Sequence, residues 1–254
     1  MTCEEKYLSS LQHPQVKFWV KLRKDRKERQ KENKVLIVGK NLVLDLLQKF
    51  TPSALILGEE ISLSDSAKGK VLYRVSEQVM KKITGLEEPD GYAAEFKIPD
   101  QNFQSTVTRL LVLDGLSDPG NLGTLIRSAL ALGWDAVFLL DGTVDPYNDK
   151  ALRSAKGATF HLPFLSGDKK QLLEYCKEQE LDILLADIEG NEPSNFIGRK
   201  RIALVLGNEA RGISVEGFLN AERVSIKMRV ESESLNVGVA GGILMYVLGG
   251  KVCE

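Results

Sequence analysis

The chain has 254 residues, 43% hydrophobic and 27% charged, with a formal net charge of −1, which is typical of a globular protein with one large or two ordinary domains. It contains no apolar run long enough to cross a bilayer, and its first ten residues lack the basic and apolar regions of a signal peptide. The composition therefore excludes a disordered chain and predicts neither a membrane segment nor secretion.

The cysteines and histidines indicate a reducing compartment and no metal site. Cys3, Cys176 and Cys253 are odd in number and far apart, without a C-x-x-C pair, so we expect free thiols in the cytoplasm. His13 and His161 are the only histidines, too few for a protein metal centre or a plausible Ser-His-Asp site. Neither a dinucleotide-binding nor a P-loop glycine motif is present.

A charge-rich helical segment is predicted for residues 16–34. It holds nine Lys or Arg against three Asp or Glu, with Val16, Trp19, Val20 and Leu22 as a short apolar stripe that could dock it. The charges fit a solvated helix face with i,i+4 ion pairs, and they fit equally well an arm that contacts the phosphates of RNA. The residues alone leave both interpretations open.

Residues 35–98 alternate between strand and helix patterns. Apolar strands are predicted at 35–39, 54–57, 71–74 and 92–98, and helices at 41–50 and 77–83. This alternation predicts a small α/β domain. The polar, aperiodic stretch 99–107 is the predicted linker, so the domains are expected at 1–98 and 108–254.

The second domain opens with a buried strand at 109–115, a turn at 118–120 and a helix over 122–133. Asn121 is predicted to cap that helix, which places Arg127 in its second turn. Most neighbours of Arg127 are apolar. The residue is either a helix surface charge or a cation of a functional site, and the helix alone favours the surface charge.

A second strand with a glycine-rich loop lies at 201–212, where Gly207, Glu209 and Gly212 follow a buried run. Glycines at such positions let the backbone turn sharply and approach a ligand closely. The remaining predicted elements of this domain are strands at 135–142, 182–188 and 221–228 and a helix at 171–179.

The stretch 226–248 begins at the end of the last strand and passes through a charged loop. From Leu235 onward apolar and small residues recur at helical spacing, which predicts a buried helix that opens at Ser234 with Asn236 in its first turn. Its glycines lower helix propensity. They are expected where another helix or a ligand approaches closely.

The glycine loop at 201–212, the stretch 226–248 and the N-x-G-x-x-x-R pattern of Asn121, Gly123 and Arg127 together resemble the motifs of the SpoU (TrmH-like) RNA ribose 2′-O-methyltransferases of the SPOUT superfamily. The resemblance implies an α/β fold whose C-terminal SPOUT domain has a mostly parallel sheet and a deep trefoil knot. It also implies a preceding small α/β substrate-binding domain that resembles a ribosomal protein.

The resemblance further implies the site. Its expected catalytic residues are Asn121, Arg127, Glu209, Ser234 and Asn236. The cofactor S-adenosylmethionine is expected in a pocket formed by Leu206, Gly207, Asn208, Gly212, Ile226, Met228, Ser234, Leu235, Asn236 and Val239. In the family, the residue that matches Arg127 is proposed to activate the ribose 2′-hydroxyl. A guanidinium is almost never neutral, so a charged Arg127 could instead lower the pKa of the hydroxyl or clamp a phosphate.

The function implied by the resemblance is 2′-O-methylation of RNA ribose without a metal. Ribosomal RNA is preferred over transfer RNA because of the type of N-terminal domain, and a homodimer with the site at the subunit interface is expected. The alternatives are a transfer RNA methyltransferase and a non-enzymatic RNA-binding or ribosome-assembly factor with the same fold. The intact motif residues argue against the non-enzymatic alternative.

Overall fold

The computed structural model describes residues 4–62, 71–100, 106–214, 216–218, 220–229, 231 and 234–249. The chain divides into two compact units, Met1–Pro99 with Tyr147–Arg153, and Asp100–Pro146 with Ser154–Glu254. Five residues of the predicted linker, 101–105, lie outside the described residues. Within the described ranges, no helix combines the length and the apolar character that a membrane span requires.

The first unit contains a five-stranded mixed sheet. Its strands are β1 (Glu4–Leu8), β2 (Lys34–Val38), β3 (Ala54–Gly58), β4 (Val71–Val75) and β5 (Tyr92–Lys97). They lie in the order β1-β4-β3-β5-β2, with β4 parallel to β1 and β3, and β5 antiparallel to β3 and β2. The four strands predicted here are confirmed. Strand β1 was not predicted, because its first three residues are charged and give no apolar run.

The helices of this unit are α1 (Pro14–Lys24), α2 (Arg26–Glu32), α3 (Lys40–Leu47) and α4 (Glu77–Thr84). Val16, Trp19 and Leu22 of α1 are fully buried, which confirms the predicted docking stripe. The Trp19 indole donates a hydrogen bond of 3.0 Å to the buried carboxylate of Glu95, which also accepts from Lys34 at 2.5 Å. These two donors offset the cost of burying the Glu95 charge.

The predicted segment 16–34 is two helices because it breaks at Asp25, whose side chain caps α2. Arg29 is buried, and its guanidinium donates to the carbonyl oxygens of Leu22 and Arg23 at 2.6 and 3.0 Å. These carbonyls belong to the last turn of α1, where intrahelical partners are missing. Arg29, like Lys34 at the end of the segment, therefore has a structural role.

The second unit contains a six-stranded sheet. Its strands are β6 (Arg109–Leu113), β7 (Ala136–Leu140), β8 (Phe164–Gly167), β9 (Asp182–Asn191), β10 (Ile202–Leu206) and β11 (Glu222–Val224). The order is β11-β9-β10-β6-β7-β8 and every pairing is parallel, as predicted. After β6 the chain adds β7 and β8 on one side of that strand and then crosses to β9 and β10 on the other side. The topological switch point therefore lies between the carboxyl ends of β6 and β10. Ligand sites of open parallel sheets lie at such points.

The last strand is shorter than predicted. Residues 221–228 were expected to be a strand, but β11 covers only three of them, and its register against β9 shifts between Arg223 and Val224. Beyond the strand, Lys227 is exposed and its ammonium lies 3.3 Å from the carboxylate of Glu192.

The helices of the second unit are α5 (Pro119–Ala131), α7 (Lys169–Glu178) and α8 (Val237–Leu248), whereas most of α6 (Asp149–Ala155) belongs to the first unit. Two predicted helix starts are wrong. Asp118 caps α5 by accepting from the N–H of Asn121 at 2.8 Å, which moves Arg127 to the third turn. Asn236 caps α8, so Ser234 lies before the helix. In both places two nearby polar side chains could act as the cap.

Helix packing explains the small residues of α8. A Cβ at Gly241 would overlap the side chains of Leu125 on α5 and Leu206 on β10. The close approach predicted from the glycines is therefore made by another helix and by the central sheet. The prediction that α8 is buried is correct for this face only. Its outer face is exposed at Val239 (51%), Ile243 (39%) and Tyr246 (75%).

Cys176 on α7 is a buried free thiol. Burial raises the pKa of this thiol to about 12, so it remains protonated and unreactive near neutral pH. Cys3 and Cys253 lie outside the described residues.

Candidate active site

Two loops leave the carboxyl ends of β6 and β10 side by side, since Leu113 pairs with Leu206 in the sheet. The side chain of Asn208 holds them together, because its Nδ2 donates to the carbonyl oxygen of Gly115 at 2.8 Å. Its Oδ1 accepts from the backbone N–H of Ala210 at 2.9 Å within its own loop. The loops at the switch point are thus fixed relative to each other before any ligand is considered.

Gly207 and Gly212 let the second loop fold back on itself. The backbones of Asn208 and Gly212 exchange two hydrogen bonds of 3.1 and 2.9 Å. A Cβ at Gly207 would overlap the backbone of Gly212 and Ile213, and Gly212 itself has a φ of +69°, in the left-handed region that favours glycine. The tight turn predicted from the two glycines is present.

Four polar side chains from the loops after β6 and β10, the first turn of α5 and the cap of α8 form one hydrogen-bonded network. Glu209 is its centre, since it accepts from Nδ2 of Asn121 at 3.0 Å and from the hydroxyl of Ser117 at 3.1 Å. The Oδ1 of Asn121 accepts in turn from Nδ2 of Asn236 at 3.0 Å. The structure therefore brings together three of the five predicted catalytic residues and adds Ser117.

The directions of the two amide hydrogen bonds in this network are determined by the helix cap. The Oδ1 of Asn236 accepts from the N–H groups of Gly238 and Val239 at 2.9 and 3.3 Å, so its Nδ2 must donate to Asn121. Asn121 can then only donate to Glu209, whose Oε1 accepts. Burial tends to raise the pKa of Glu209, but the hydrogen bonds from Asn121, from a backbone N–H and from Ser117 outweigh it and hold that pKa below its ordinary value.

A cavity of about 390 Å³ lies beside the network. It is bounded by the loop after β10, by the segment that precedes α8 and by residues 186–188 of β9. Nine of the ten predicted cofactor-binding residues line it, namely Leu206, Gly207, Asn208, Gly212, Ile226, Met228, Ser234, Leu235 and Asn236. The volume and the mostly apolar walls suit a ligand of nucleoside size. Within the described residues, no group of three or more His, Cys, Asp or Glu side chains could hold a metal ion.

Three predicted site residues lie outside the cavity lining, namely Asn121, which belongs to the adjoining network, Val239 and Arg127. Val239 is on the exposed face of α8, and its backbone N–H contributes by donating to Asn236. Arg127 is exposed on α5 and has no hydrogen bond or ion pair to any residue that the structure describes. It follows Asn121 by six residues, a rotation of about 240° around a helix. Within one chain, Arg127 and Asn121 therefore point to different sides of α5.

Sequence reasoning missed Ser117 and Asp187. Ser117 lies in the polar turn after β6, so its place in the motif loop was a usable signal. Asp187 lies inside the strand β9 and lines the cavity. An acidic residue in an apolar strand run gives no indication of which cavity it faces.

The chain is similar to named methyltransferases over nearly its whole length. It is 34% identical to RlmP of Bacillus subtilis (strain 168), a 23S rRNA (guanosine(2553)-2'-O)-methyltransferase, over 96% of this chain and 100% of that protein. It is also 34% identical to the mitochondrial rRNA methyltransferase 3 of Homo sapiens, over 88% of this chain and 69% of that protein.

Solved structures of the same kind superpose on this chain. An AdoMet-bound rRNA methyltransferase from Sinorhizobium meliloti matches with a TM-score of 0.83 and 25% identity, over 96% of this chain and 97% of that one. An RNA 2'-O ribose methyltransferase matches with a TM-score of 0.79 and 28% identity, over 95% and 97%. The model of the MRM3-like substrate binding domain matches residues 13–94. Because the model of the SpoU rRNA Methylase family matches residues 108–246, the chain belongs to that family.

Proposed function

We propose that this protein is an S-adenosylmethionine-dependent 2′-O-ribose methyltransferase of ribosomal RNA. The observation that carries the proposal is the cavity at the switch point, which directly adjoins the network of Asn121, Glu209 and Asn236. The relative from Bacillus subtilis, which is similar over its full length and is named for this reaction on 23S rRNA, supports the same substrate class.

The cavity residues fit S-adenosylmethionine. Apolar side chains such as Ile226, Met228 and Leu244 line the cavity and would hold the adenine by packing. Backbone groups of the loop at 207–212 would bind its polar edges, as close backbone approach at glycines permits. When bound, this cofactor supplies a methyl group activated by a positively charged sulfur.

The chain's own polar residues would place the ribose hydroxyl and handle its proton. The network of Asn121, Glu209 and Asn236 holds the start of α5, the loop after β10 and the start of α8 in one arrangement, which restricts the geometry in which the substrate can bind. Arg127 supplies a permanent positive charge. That charge would lower the pKa of the 2′-hydroxyl or bind the adjacent phosphate, and either action stabilises the transition state electrostatically.

Cofactor binding is the direct test. Calorimetry with the purified full chain is expected to show S-adenosylmethionine binding that EDTA does not alter. Gly207→Ala should abolish it, because the added Cβ overlaps the backbone of Gly212. Gly242→Ala is the matched control, since the nearest atom to its Cβ, the hydroxyl of Ser128, is 4.0 Å away. An absence of heat at millimolar cofactor would contradict the proposal.

The first unit is proposed to bind RNA through a cationic stripe on α1, defined as Lys17, Lys21 and Lys24. These residues recur at i, i+4 and i+7, so they share one helix face, and all three are exposed. None has an ion pair or hydrogen bond from its side chain within the described part of the chain. Unpaired cations in a row suit the phosphate backbone of a nucleic acid.

Replacing all three lysines of the stripe with Gln is expected to weaken binding to an rRNA fragment. The slope of log affinity against log salt should also become shallower by about two, because each phosphate contact contributes about 0.7 to 0.9 to that slope. A filter-binding titration across salt concentrations measures both. The matched control removes three exposed cations from the second unit, Lys170, Lys177 and Lys200. Equal loss in both variants would show a net-charge effect and contradict the stripe.

A homodimer, a trefoil knot and a cytoplasmic location complete the proposal. The exposed outer face of α8, defined as Val239, Ile243 and Tyr246, is an apolar surface that a second copy could cover. Arg127 and Leu130 are also exposed on α5, which packs against α8. A second copy on this surface would therefore enclose Arg127 as well, which gives a cation without a partner among the described residues a place in the site.

A further inference from the structure

Strand β9 leaves the sheet where it reaches the cavity. In the pairing of β9 with β11, Arg223 lies opposite Leu185, and the next residue, Val224, lies opposite Asn191. Residues 186–190 of β9 therefore have no partner in β11, and this segment is called the excursion. Gly190 makes the return possible, because a Cβ there would lie 2.6 Å from the backbone of Arg223 and Val224. The excursion forms one wall of the cavity.

This excursion brings a carboxylate to the cavity wall. One oxygen of Asp187 lies 3.2 Å from the guanidinium of Arg223, and the other accepts from the backbone N–H of Glu189 at 3.0 Å. The Asp187 side chain is 23% exposed. Each carboxylate oxygen can accept more than one hydrogen bond, so the group is held in position and retains acceptor capacity for a ligand.

Asp187 and Glu209 are the two charged residues of the cavity lining. Glu209 is occupied by Ser117 and Asn121 on the side of the polar network. Asp187 takes no part in that network, and its contacts come from its own excursion and from the neighbouring strand. Its remaining acceptor capacity is therefore not used by that network.

We propose that Asp187 accepts hydrogen bonds from the ribose hydroxyls of the adenosyl ligand and so determines recognition of its sugar. The inference rests on the proposed function. Two donors of the ligand could suit a carboxylate, the vicinal hydroxyls of the ribose and the ammonium of the amino acid end. The guanidinium of Arg223, 3.2 Å from Asp187, repels an ammonium but not a neutral diol. Carboxylates bind ribose hydroxyls in the same way in dinucleotide-binding folds.

Calorimetry with three ligands separates the two donors. The ligands are S-adenosylhomocysteine, 5′-methylthioadenosine, which keeps the ribose but lacks the ammonium, and the 2′,3′-dideoxy analogue of S-adenosylhomocysteine. Asp187→Ala is expected to lower the affinities for S-adenosylhomocysteine and 5′-methylthioadenosine by the same factor, about tenfold or more, as expected for a hydrogen bond to a charged group. The affinity of the dideoxy analogue should not change. Asp187→Asn keeps the side-chain shape and should give an intermediate loss.

Glu189→Ala is the matched control. Glu189 lies on the same excursion and its carboxylate is 3.3 Å from Arg223, but it does not line the cavity. Its removal should leave all three affinities unchanged. The inference is overturned if Glu189→Ala matches Asp187→Ala, if only S-adenosylhomocysteine is weakened, or if Asp187→Ala binds like wild type. Wild type that binds none of the three ligands would overturn the proposed function together with the inference.

Discussion

Arg127→Ala is expected to lower methyl transfer by about two to three orders of magnitude, the effect typical of removing one electrostatic contributor from a transition state. Its fold should be little affected, because Arg127 is exposed and has no polar contact in the described part of the chain. Such surface substitutions change stability by about 0.5 kcal/mol or less. Transfer of labelled methyl to rRNA measures turnover, and calorimetry should show unchanged cofactor affinity.

Arg127→Lys separates charge from shape. It keeps a positive charge but loses the planar fork that binds a phosphate or hydroxyl with two donors, so it should also be strongly impaired. Lys170→Ala, which removes an exposed cation from α7, is the control and should retain full turnover. If Arg127→Ala is as active as this control, Arg127 is a surface residue. Digestion of the product must place the label on ribose, since a label on a base would contradict the reaction itself.

The central strands and the glycine loop could be predicted because their signals are local. β6 and β10 are buried on both faces, so their apolar runs identify them without tertiary information. Gly207 and Gly212 indicate a sharp turn for the same reason, since the backbone conformation there depends on the glycines themselves.

The helix caps could not be predicted because adjacent polar residues compete for one role. Asp118 and Asn121 are both suitable caps, and Pro119 at the first helical position favours Asp118. Asn121 is thereby free to donate to Glu209, a contact across 88 positions of sequence. Network partners of this kind are fixed by the sheet order, which local patterns do not contain.

Asp187 is a second residue whose place in the site local sequence patterns could not predict. The sequence around Asp187 correctly predicted a strand. The loss of pairing with β11 at 186–190, however, depends on the close approach of Gly190 to β11. A strand pattern gives the alternation of side chains along a ladder. It does not show where the ladder stops, and the residues that line the cavity lie at that point.

Ile243→Glu is expected to convert a homodimer into a monomer. Ile243 is 39% exposed at the centre of the outer face of α8, between Val239 and Tyr246. A second copy would bury this residue, and burial of a carboxylate without a partner is strongly unfavourable. Sedimentation equilibrium should give the mass of two chains for wild type and of one chain for the variant.

The same variant tests whether the site needs both copies. Arg127 lies on α5, which packs against α8, so loss of the second copy leaves its guanidinium in water, where its electrostatic effect is weakest. Turnover should therefore fall with the dimer population, whereas cofactor affinity should persist because the cavity is lined by one chain. Leu86→Glu introduces the same charge at an apolar residue of the first unit that is 36% exposed, and this control should remain dimeric and active. A monomeric Ile243→Glu with wild-type turnover would show that one chain holds the complete site, and a monomeric wild type would remove the dimer from the mechanism.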